Sequence, residues 1–209
     1  MTLICMMMVS CKPAEGEDPI NPDGSDGKHE GHEYVDLGLS VIWATCIVGA
    51  TSPEDYGHYF AWGETSPKAE YTWENSVTHG EQMSDISGNA QYDAATANWG
   101  GSWRMPTKEQ MEELVEHCEW ERTQVNGVNG AKVIGPNGSC IFLPAAGYRY
   151  GSSLDGGGYL CNSWSSTPND DYDLYYDLYA HCLYFSNGDE HVFWGYVRYY
   201  GLPVRPITE

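Results

Sequence analysis

DAATANWGGSWRMPTKEQMEELVEHC, residues 93–118, contains the strongest local structure signals of this 209-residue chain. Thr107 and Gln110 stand at capping-box spacing, in which each side chain satisfies a backbone N–H group at the start of a helix. Apolar residues then recur at the spacing of one helix face, at Met111, Leu114, Val115 and Cys118. We therefore predict a helix that begins at Thr107 and packs by one face only.

A second, shorter helix and several strands complete the expected fold. The short helix is predicted around residues 93–98, with the Asp93 carboxylate at its start and the Gly100–Gly101 pair at its end. β-Branched and aromatic residues between Gly and Asn-Gly turns predict antiparallel strands. These segments are Tyr34–Val48, Cys140–Leu143, Cys182–Phe185, His191–Val197 and Pro203–Ile207.

The region between the first strands and the helices lacks both the helical and the strand period. Residues 61–88 are polar, so we expect a long structured loop that Trp62 and Trp73 fix to the rest of the protein. Together these segments predict one α+β domain.

The charge of the chain excludes several classes of function. Acidic residues number 30 and basic residues 10, which gives a formal net charge of −20. Nucleic acids and anionic lipid surfaces repel such a polyanion, so we expect no nucleic-acid partner. No apolar run approaches the roughly 20 residues of a membrane-spanning helix.

The N-terminal residues are expected to direct export and to tether the domain. Residues 1–10 combine an apolar stretch with a small residue, as an export signal does. Cys11 follows directly, and the Met-Val-Ser-Cys order resembles a bacterial lipoprotein signal, which implies lipidation of Cys11. Residues 11–32 have the composition of a flexible acidic linker, and residues 33–209 form the domain.

This organisation predicts an exported protein of the cell envelope, an outer-membrane lipoprotein that faces the cell exterior. It would meet the membrane only through its lipid anchor. The alternative is that the first residues form a buried N-terminal strand.

Cysteine spacing is consistent with export. No CxxC pair occurs, so neither a zinc ribbon nor a thioredoxin-type site is predicted. An exported chain can carry disulfides, and we expect one between Cys46 and Cys118. Buried free thiols are the alternative.

Ordered markers between residues 33 and 207 resemble those of the FISUMP family of bacterial paralogous domains. They are VDLGL (35–39), WATCIVGA (43–50), YFAWGE (59–64), NWGGSWRMPT (98–107), NGVNG (126–130), GPNG (135–138), FLPAAGYR (142–149), WSSTP (164–168) and VRPI (204–207). The resemblance implies a loop-rich fold like that of C-type lectins and formylglycine-generating enzymes. Two helices would pack on antiparallel sheets, with the N- and C-terminal strands adjacent. Five tryptophans would then be structural and need partners for their indole N–H groups: Trp43, Trp62, Trp99, Trp103 and Trp164.

Tyrosine is concentrated near the C-terminal end, where eight of the 16 tyrosines lie between Asn169 and Tyr200. Tyrosine offers a large contact area with few rotatable bonds and a polar tip, which is why binding surfaces use it. Strict alternation is absent, and an amphipathic strand pair with tyrosines on the core is the alternative. We expect the ligand-binding face to comprise Asp170, Asp171, Tyr172, Asp173, Tyr175, Tyr176, Asp177, Tyr179, His181, Tyr184, His191, Phe193, Tyr196, Tyr199 and Tyr200.

The same segment has an unusual composition. Residues 169–200 contain only Glu190 and Trp194 from the set Lys, Gln, Glu, Met and Trp. Randomised adenines in an Asn codon of the form AAY yield Tyr, Asp and His but none of those five. The segment therefore resembles the variable region of proteins that a retroelement diversifies, which use C-type-lectin-like domains for display. The fixed positions would be Trp164–Pro168, Ala180, Leu183, Phe185, Gly188, Arg198, Gly201 and Val204–Ile207.

These observations predict a surface receptor or adhesin that binds a protein or a glycan as a monomer. Motifs such as GxSxG, HExxH and a Walker-type phosphate loop are absent from the sequence, so we expect no catalytic residue and no cofactor. We also expect no metal site at His29 and His32, and no calcium requirement at the aspartates of residues 170–177. The alternatives are a structural or fimbria-like subunit and a formylglycine-generating-type oxidase, which would use Cys161 and Cys182.

Overall fold

The computed structural model describes residues 27–169, 177–186 and 189–209, and of residues 189–194 it describes the backbone only. Within these ranges the chain forms two α-helices, α1 (Ala94–Trp99) and α2 (Lys108–His117), and a 3₁₀ turn, Trp73–Asn75. The strands are β1 (Lys28–His29), β2 (His32–Val35), β3 (Ile42–Ala44), β4 (Glu119–Val125), β5 (Val128–Ile134), β6 (Cys140–Pro144), β7 (Tyr148–Tyr150), β8 (Ser153–Asp155), β9 (Cys161–Pro168), β10 (Tyr179–Ser186), β11 (Asp189–Val197) and β12 (Ile207–Thr208). The described strands pair antiparallel, which confirms the α+β class with antiparallel sheets and two helices.

The described strands form four sheets, with the orders β1-β2-β3-β12, β11-β10-β9, β4-β5-β6 and β7-β8. The first sheet joins the two ends of the domain, because β12 pairs with β3 and Ile207 lies opposite Trp43. The predicted adjacency of the N- and C-terminal strands is therefore confirmed. The predicted strand Pro203–Ile207 is mostly outside the ladder, because Pro203 and Pro206 have no N–H group to donate.

Both helices begin where their caps predict. The Asp93 carboxylate accepts hydrogen bonds from two backbone N–H groups in the first turn of α1. Thr107 and Gln110 form the predicted capping box of α2, and the helix buries its apolar face through Met111 and Leu114. No described helix is long and apolar enough to cross a bilayer.

Two apolar clusters make up most of the described core. The first core cluster consists of Leu37, Val41, Trp43, Met111, Leu114, Ala131, Val133, Ile141, Leu143, Cys161, Leu183, Phe185 and Ile207. The second core cluster consists of Val48, Phe60, Trp62, Ile86, Ala94, Ala95, Met105, Trp164, Ala180, Cys182, Leu202 and Val204. Strands β9 and β10 contribute to both clusters, because alternate side chains of a strand point to opposite faces. The two faces of this strand pair are therefore both buried.

Residues 61–88 form the expected long loop, whose regular structure is the single 3₁₀ turn. Trp62 is buried and fixes the loop, as predicted. Trp73 lies on the 3₁₀ turn and is 63% exposed, so the prediction that it fixes the loop is wrong. The turn faces solvent, and its three residues include none that is buried.

The tryptophans differ in how their indole N–H groups are satisfied. Trp62, Trp103 and Trp164 donate to backbone carbonyl oxygens, as expected. Trp43 is 1% exposed, yet among the described residues no acceptor lies within hydrogen-bond distance of its Nε1. Trp99 is partly exposed and stacks on a histidine ring.

The hairpin of β4 and β5 has no counterpart among the predicted strands. Most residues of β4 are polar and exposed, so the hydrophobic alternation that indicates a strand is weak there. The turn does carry a local signal, since Asn126 and Gly127 have φ values of 50° and 83°. Positive φ at two successive residues is the requirement of a two-residue hairpin turn, and Asn-Gly meets it best.

The folded part begins earlier than predicted. β1 and β2 form a hairpin, so residues 28–32 belong to the domain and not to the linker. The His32 ring stacks on Trp99, with centroids 3.6 Å apart and an angle of 4° between the planes. The His29 ring lies 5.6 Å from that of Trp103. The predicted signal, Cys11 and the linker up to residue 26 lie outside the described residues.

The predicted disulfide between Cys46 and Cys118 is wrong, because both are free thiols. Cys46 follows β3 and lines a polar cavity beside Thr45. Cys118 ends α2 and packs against the first core cluster. The two sulfur atoms thus belong to different environments. Cys140, in contrast to these two residues, is disulfide-bonded.

Candidate ligand-binding face

The predicted recognition segment includes strands β10 and β11, which pair with each other while β10 also pairs with β9. The register of β10 shifts between Ala180 and Cys182. Ala180, His181 and Cys182 are all buried, and both faces of the β9–β10 pair contribute to the core. His181 is 2% exposed, so its predicted place on the binding surface is wrong.

The other described residues of the predicted face are partly exposed. They are Asp177, Tyr179, Tyr184, Tyr196, Tyr199 and Tyr200. Eight further predictions lie outside the described residues: Asp170, Asp171, Tyr172, Asp173, Tyr175, Tyr176 and the side chains of His191 and Phe193.

Five tyrosine rings meet where β7 approaches the end of β11, and we call Tyr148, Tyr150, Tyr196, Tyr199 and Tyr200 the tyrosine platform. The rings of Tyr148 and Tyr200 stack, with centroids 5.3 Å apart and an angle of 9°. Tyr199 and Tyr200 lie edge to face, with centroids 5.1 Å apart and an angle of 83°. Tyr150 lies 5.3 Å from Tyr200 and 6.3 Å from Tyr199. Stacked and edge-to-face arrangements are the favourable ones for aromatic pairs, so the rings support one another.

The tyrosine platform has a buried side and an exposed side. Tyr148, Tyr196 and Tyr200 pack against the second core cluster, whereas Tyr150 is 51% exposed. Burial raises the pKa of Tyr200 to about 12 and also raises the pKa of Tyr196. Both phenols are therefore protonated at neutral pH, and each hydroxyl can donate and accept hydrogen bonds.

A histidine of the long loop borders the tyrosine platform. The His79 ring meets Tyr199 edge-on, with centroids 5.1 Å apart and an angle of 81°. The next residue, Gly80, donates its N–H to the carbonyl oxygen of Asp177 at 2.8 Å. Burial lowers the pKa of His79, against the opposing effect of the Asp177 carboxylate, so the imidazole is neutral at pH 7.

Arg198 ties this loop to the sheet. Its Nη1 donates to the carbonyl oxygens of Thr78 and Glu81, at 3.2 and 2.8 Å. Its Nε donates to the carbonyl oxygen of Tyr179 at 3.0 Å, and the guanidinium lies 4.5 Å from the Trp62 ring centroid. Burial lowers the pKa of Arg198 to about 10, which leaves the group charged at neutral pH. One buried cation therefore connects β10, the end of β11 and the long loop.

Gly201 joins the tyrosine platform to the hairpin of β7 and β8. Its N–H donates to the carbonyl oxygen of Arg149 at 2.9 Å, and the N–H of Arg149 donates to that of Gly201 at 2.7 Å. A Cβ atom at Gly201 would lie 2.6 Å from the Tyr71 ring, so this close approach requires glycine. The Arg149 side chain lies 5.0 Å from the Tyr59 ring centroid, away from the platform. Alternation along β7 therefore separates the arginine from the two tyrosines that flank it.

Sequence reasoning missed Tyr148, Tyr150 and His79. The alternation Tyr-Arg-Tyr in residues 148–150 was an available signal, because it places both tyrosines on one face of a strand. Nothing local indicates that this strand meets residues 199–201. His79 has no pattern around it that indicates a binding surface.

The two cysteines of the oxidase alternative do not face each other. Cys161 lies in the first core cluster and Cys182 in the second, on opposite faces of the β9–β10 pair. Both are free thiols and are 3% and 0% exposed. Burial raises the pKa of Cys161 to about 12 and raises that of Cys182 as well. Neutral, enclosed thiols of this kind are poor nucleophiles.

Two cavities lie elsewhere in the described part of the chain. A polar cavity of about 230 Å³ is lined by His32, Cys46 and Trp99, among others, and an apolar one of about 200 Å³ by Cys140 and Phe142. Neither is lined by a residue of the tyrosine platform. Residues 27–169, 177–186 and 189–209 contain no group of three or more His, Cys, Asp or Glu that could hold a metal ion.

Comparisons of the chain with protein-family models, with curated proteins and with solved structures find no match. The function of the tyrosine platform is therefore inferred from its geometry and chemistry.

Proposed function

We propose that this chain is a surface-displayed ligand-binding protein, a receptor or adhesin. It uses the tyrosine platform and the neighbouring acidic residues to bind a protein or a glycan, and it has a C-type-lectin-like fold of the FISUMP type. A retroelement diversifies the C-terminal segment. A lipid on Cys11 holds the protein at the outer membrane, with the domain facing outward.

The division between buried and exposed positions carries this proposal. Ten of the positions implied as fixed are at most 2% exposed. They are Trp164, Ser165, Ser166, Ala180, Leu183, Phe185, Arg198, Val204, Arg205 and Ile207. The described tyrosines implied as varied are all partly exposed. Substitutions at exposed positions cost little stability, whereas the packed core does not tolerate changes of volume. A display scaffold needs this separation. Three described positions depart from it: His181 is buried although it is implied as varied, and Thr167 and Pro168 are partly exposed although they are implied as fixed.

The support beneath the tyrosine platform favours binding. Ring contacts, the Arg149–Gly201 backbone pairing and the buried Arg198 fix the aromatic side chains from three separate parts of the chain. Side chains that are ordered before a ligand arrives lose less conformational entropy on binding. A rigid aromatic surface therefore binds more tightly than a mobile one of equal area.

The test is a binding screen with matched variants. The full chain is screened against arrays of surface proteins and glycans, and the double variant Tyr150→Ser/Tyr199→Ser is expected to lose the ligands that the natural chain retains. The control is Tyr159→Ser, because Tyr159 is 72% exposed and has no ring contact with the platform among the described residues. Equal binding by both variants, or stable oligomers of the natural chain at low concentration, would contradict the receptor proposal. Tyrosine-dependent oligomers would favour the fimbria-like subunit.

Diversification and calcium dependence have independent tests. A reverse transcriptase gene beside this gene, with a template copy of its 3′ end that carries adenines at the varied codons, is expected. Ligand binding is expected to be unchanged in a chelator. A gene neighbourhood without the template copy, or binding that collapses in the chelator, would contradict the respective statement.

A further inference from the structure

The partly exposed rings of the tyrosine platform form walls at steep angles to one another. Tyr199 and Tyr200 stand at 83°, with centroids 5.1 Å apart. Tyr150 is 51% exposed and is tilted by 57° from Tyr200 and by 44° from Tyr199. A compact apolar group that enters between these walls can contact two rings at once.

The backbone of β7 beneath the platform is paired on both of its edges. Arg149 lies opposite Leu154 of β8 on one edge and opposite Gly201 on the other. On that second edge the next outward-facing residue, Gly151, exchanges two hydrogen bonds with Tyr71, both of 2.9 Å. A peptide that binds as an additional strand needs an exposed sheet edge. A ligand of the platform is therefore bound at β7 by side chains and not by strand addition.

The phenol hydroxyl groups supply hydrogen-bond donors beside the ring faces. Burial raises the pKa of Tyr199 and raises that of Tyr200 to about 12, so both groups keep their protons at neutral pH. A helix satisfies most of its carbonyl oxygens internally. A polyproline II segment has no internal hydrogen bonds, so its carbonyl oxygens are available as acceptors. Phenol donors between aromatic walls therefore match a polyproline II segment better than a helix.

We infer that the tyrosine platform binds a proline-rich segment of a partner protein in the polyproline II conformation. Proline rings lie between the walls that Tyr150, Tyr199 and Tyr200 form, and the hydroxyls of Tyr199 and Tyr200 donate to carbonyl oxygens of the segment. Aromatic-lined grooves are a recurring means of recognising such segments. The inference rests on the proposed binding function of the same face.

Both partners are ordered before they meet. A polyproline II segment is already extended, and ring stacking and the Arg149–Gly201 pairing fix the platform, so binding costs little conformational entropy. An uncharged segment is also not repelled by a chain of net charge −20. A neutral glycan shares this advantage, but its many hydroxyl donors are best matched by carboxylate and amide oxygens. The five side chains of the platform contain neither group.

The test titrates the full chain with a fluorescent peptide of ten prolines, and a glycine–serine peptide of equal length is the ligand control. Tyr150→Ala and Tyr199→Ala are each expected to raise the Kd for the proline peptide about fivefold, because each removes one wall. The double variant Tyr199→Phe/Tyr200→Phe keeps both rings and removes both donors. It is also expected to raise the Kd about fivefold. Tyr159→Ala, at a 72% exposed tyrosine outside the platform, is expected to leave the Kd unchanged.

The outcomes separate this inference from the proposed function. The inference is overturned if the glycine–serine peptide binds as tightly as the proline peptide, or if any of the three platform variants binds the proline peptide as tightly as the natural chain. A neutral oligosaccharide that binds through Tyr150 and Tyr199, without competition from the proline peptide, overturns the inference but leaves the proposed function standing. Platform variants that alter the binding of no peptide and no oligosaccharide contradict both.

Discussion

Trp62 and Trp164 hold the long loop to β9 by a reciprocal pair of hydrogen bonds. The Nε1–H of Trp62 donates to the carbonyl oxygen of Ser165 at 2.9 Å, and that of Trp164 donates to the carbonyl oxygen of Phe60 at 2.8 Å. Both indoles are 0% exposed, and Trp62 also lies under the Arg198 guanidinium. The start of the loop and the strand are thus joined in the second core cluster, on which the tyrosine platform rests.

Removal of one of these donors should destabilise the domain. In Trp164→Phe the carbonyl oxygen of Phe60 loses its buried partner and a cavity replaces part of the indole. We expect a loss of about 3 kcal/mol in the free energy of unfolding, measured by urea denaturation. Trp73→Phe is the control, because Trp73 is 63% exposed and should change stability by less than about 0.5 kcal/mol. Equal losses in the two variants would show that the indole pair is unimportant.

The close contact between Gly201 and Tyr71 predicts a second destabilising change. In Gly201→Ala the new Cβ lies 2.6 Å from the Tyr71 ring, which is itself 1% exposed and has no room to move. We expect a loss of about 1–3 kcal/mol and a lower Tm. The matched control is Gly157→Ala, whose Cβ would meet the flexible Leu154 side chain at 3.2 Å. A Tm that falls no further in Gly201→Ala than in the control would refute the contact.

The buried phenols predict how stability depends on alkaline pH. Burial raises the pKa of several tyrosines: Tyr59, Tyr71, Tyr148, Tyr196, Tyr199 and Tyr200. The folded state then keeps protons that the unfolded state releases, so this contribution to stability is complete below about pH 10 and is lost as the pH rises. We expect the urea midpoint to fall steeply between about pH 10 and pH 12.

The same titration can be assigned to individual residues. Tyr200→Phe removes one of the raised groups and should make the alkaline fall of the urea midpoint less steep. Ultraviolet absorbance of phenolate should show ionisation delayed in the folded protein relative to the protein in urea. Identical phenolate titrations in the two conditions would contradict burial of these phenols.

Local signals in the sequence were sufficient to predict the helices. Asp93, Thr107 and Gln110 cap helix starts through contacts within three residues of chain, and the apolar stripe of α2 follows from helical geometry alone. The predicted strand Cys140–Leu143 differs from β6 (Cys140–Pro144) by one residue at its end. The prediction succeeds because every residue of β6 is apolar and buried. Such features depend little on the rest of the fold.

Features that depend on distant parts of the chain were missed. His181 is buried because β10 lies between β9 and β11 and contributes both of its faces to the core, and no property of residue 181 itself indicates this. Tyr148 and Tyr150 join the tyrosine platform because Arg149 pairs with Gly201, more than fifty residues away. The concentration of tyrosine near the C-terminal end indicates Tyr196, Tyr199 and Tyr200. Tyr148 and Tyr150 join the platform only through the tertiary structure.

Arg198 should control the order of the loop that borders the tyrosine platform. Arg198→Lys keeps the positive charge, but its three donors sit on one nitrogen, which cannot reach the carbonyl oxygens that the guanidinium contacts through its separate Nε and Nη1 atoms. At least one of the carbonyls of Thr78, Tyr179 and Glu81 then loses its partner, at a cost of about 1–3 kcal/mol. Amide hydrogen exchange at residues 78–81 should speed up, and affinity for a platform ligand should fall through a faster dissociation rate.

The matched control for this change is Arg122→Lys. Arg122 is exposed and its guanidinium lies 5.8 Å from the Phe185 ring centroid, so the same substitution there changes a side chain at the surface and not one in the core. We expect its stability to change by less than about 1 kcal/mol and the exchange at residues 78–81 to stay the same. If Arg198→Lys left that exchange unchanged as well, the loop would be held by its other contacts, and the guanidinium would have no part in ordering the binding face.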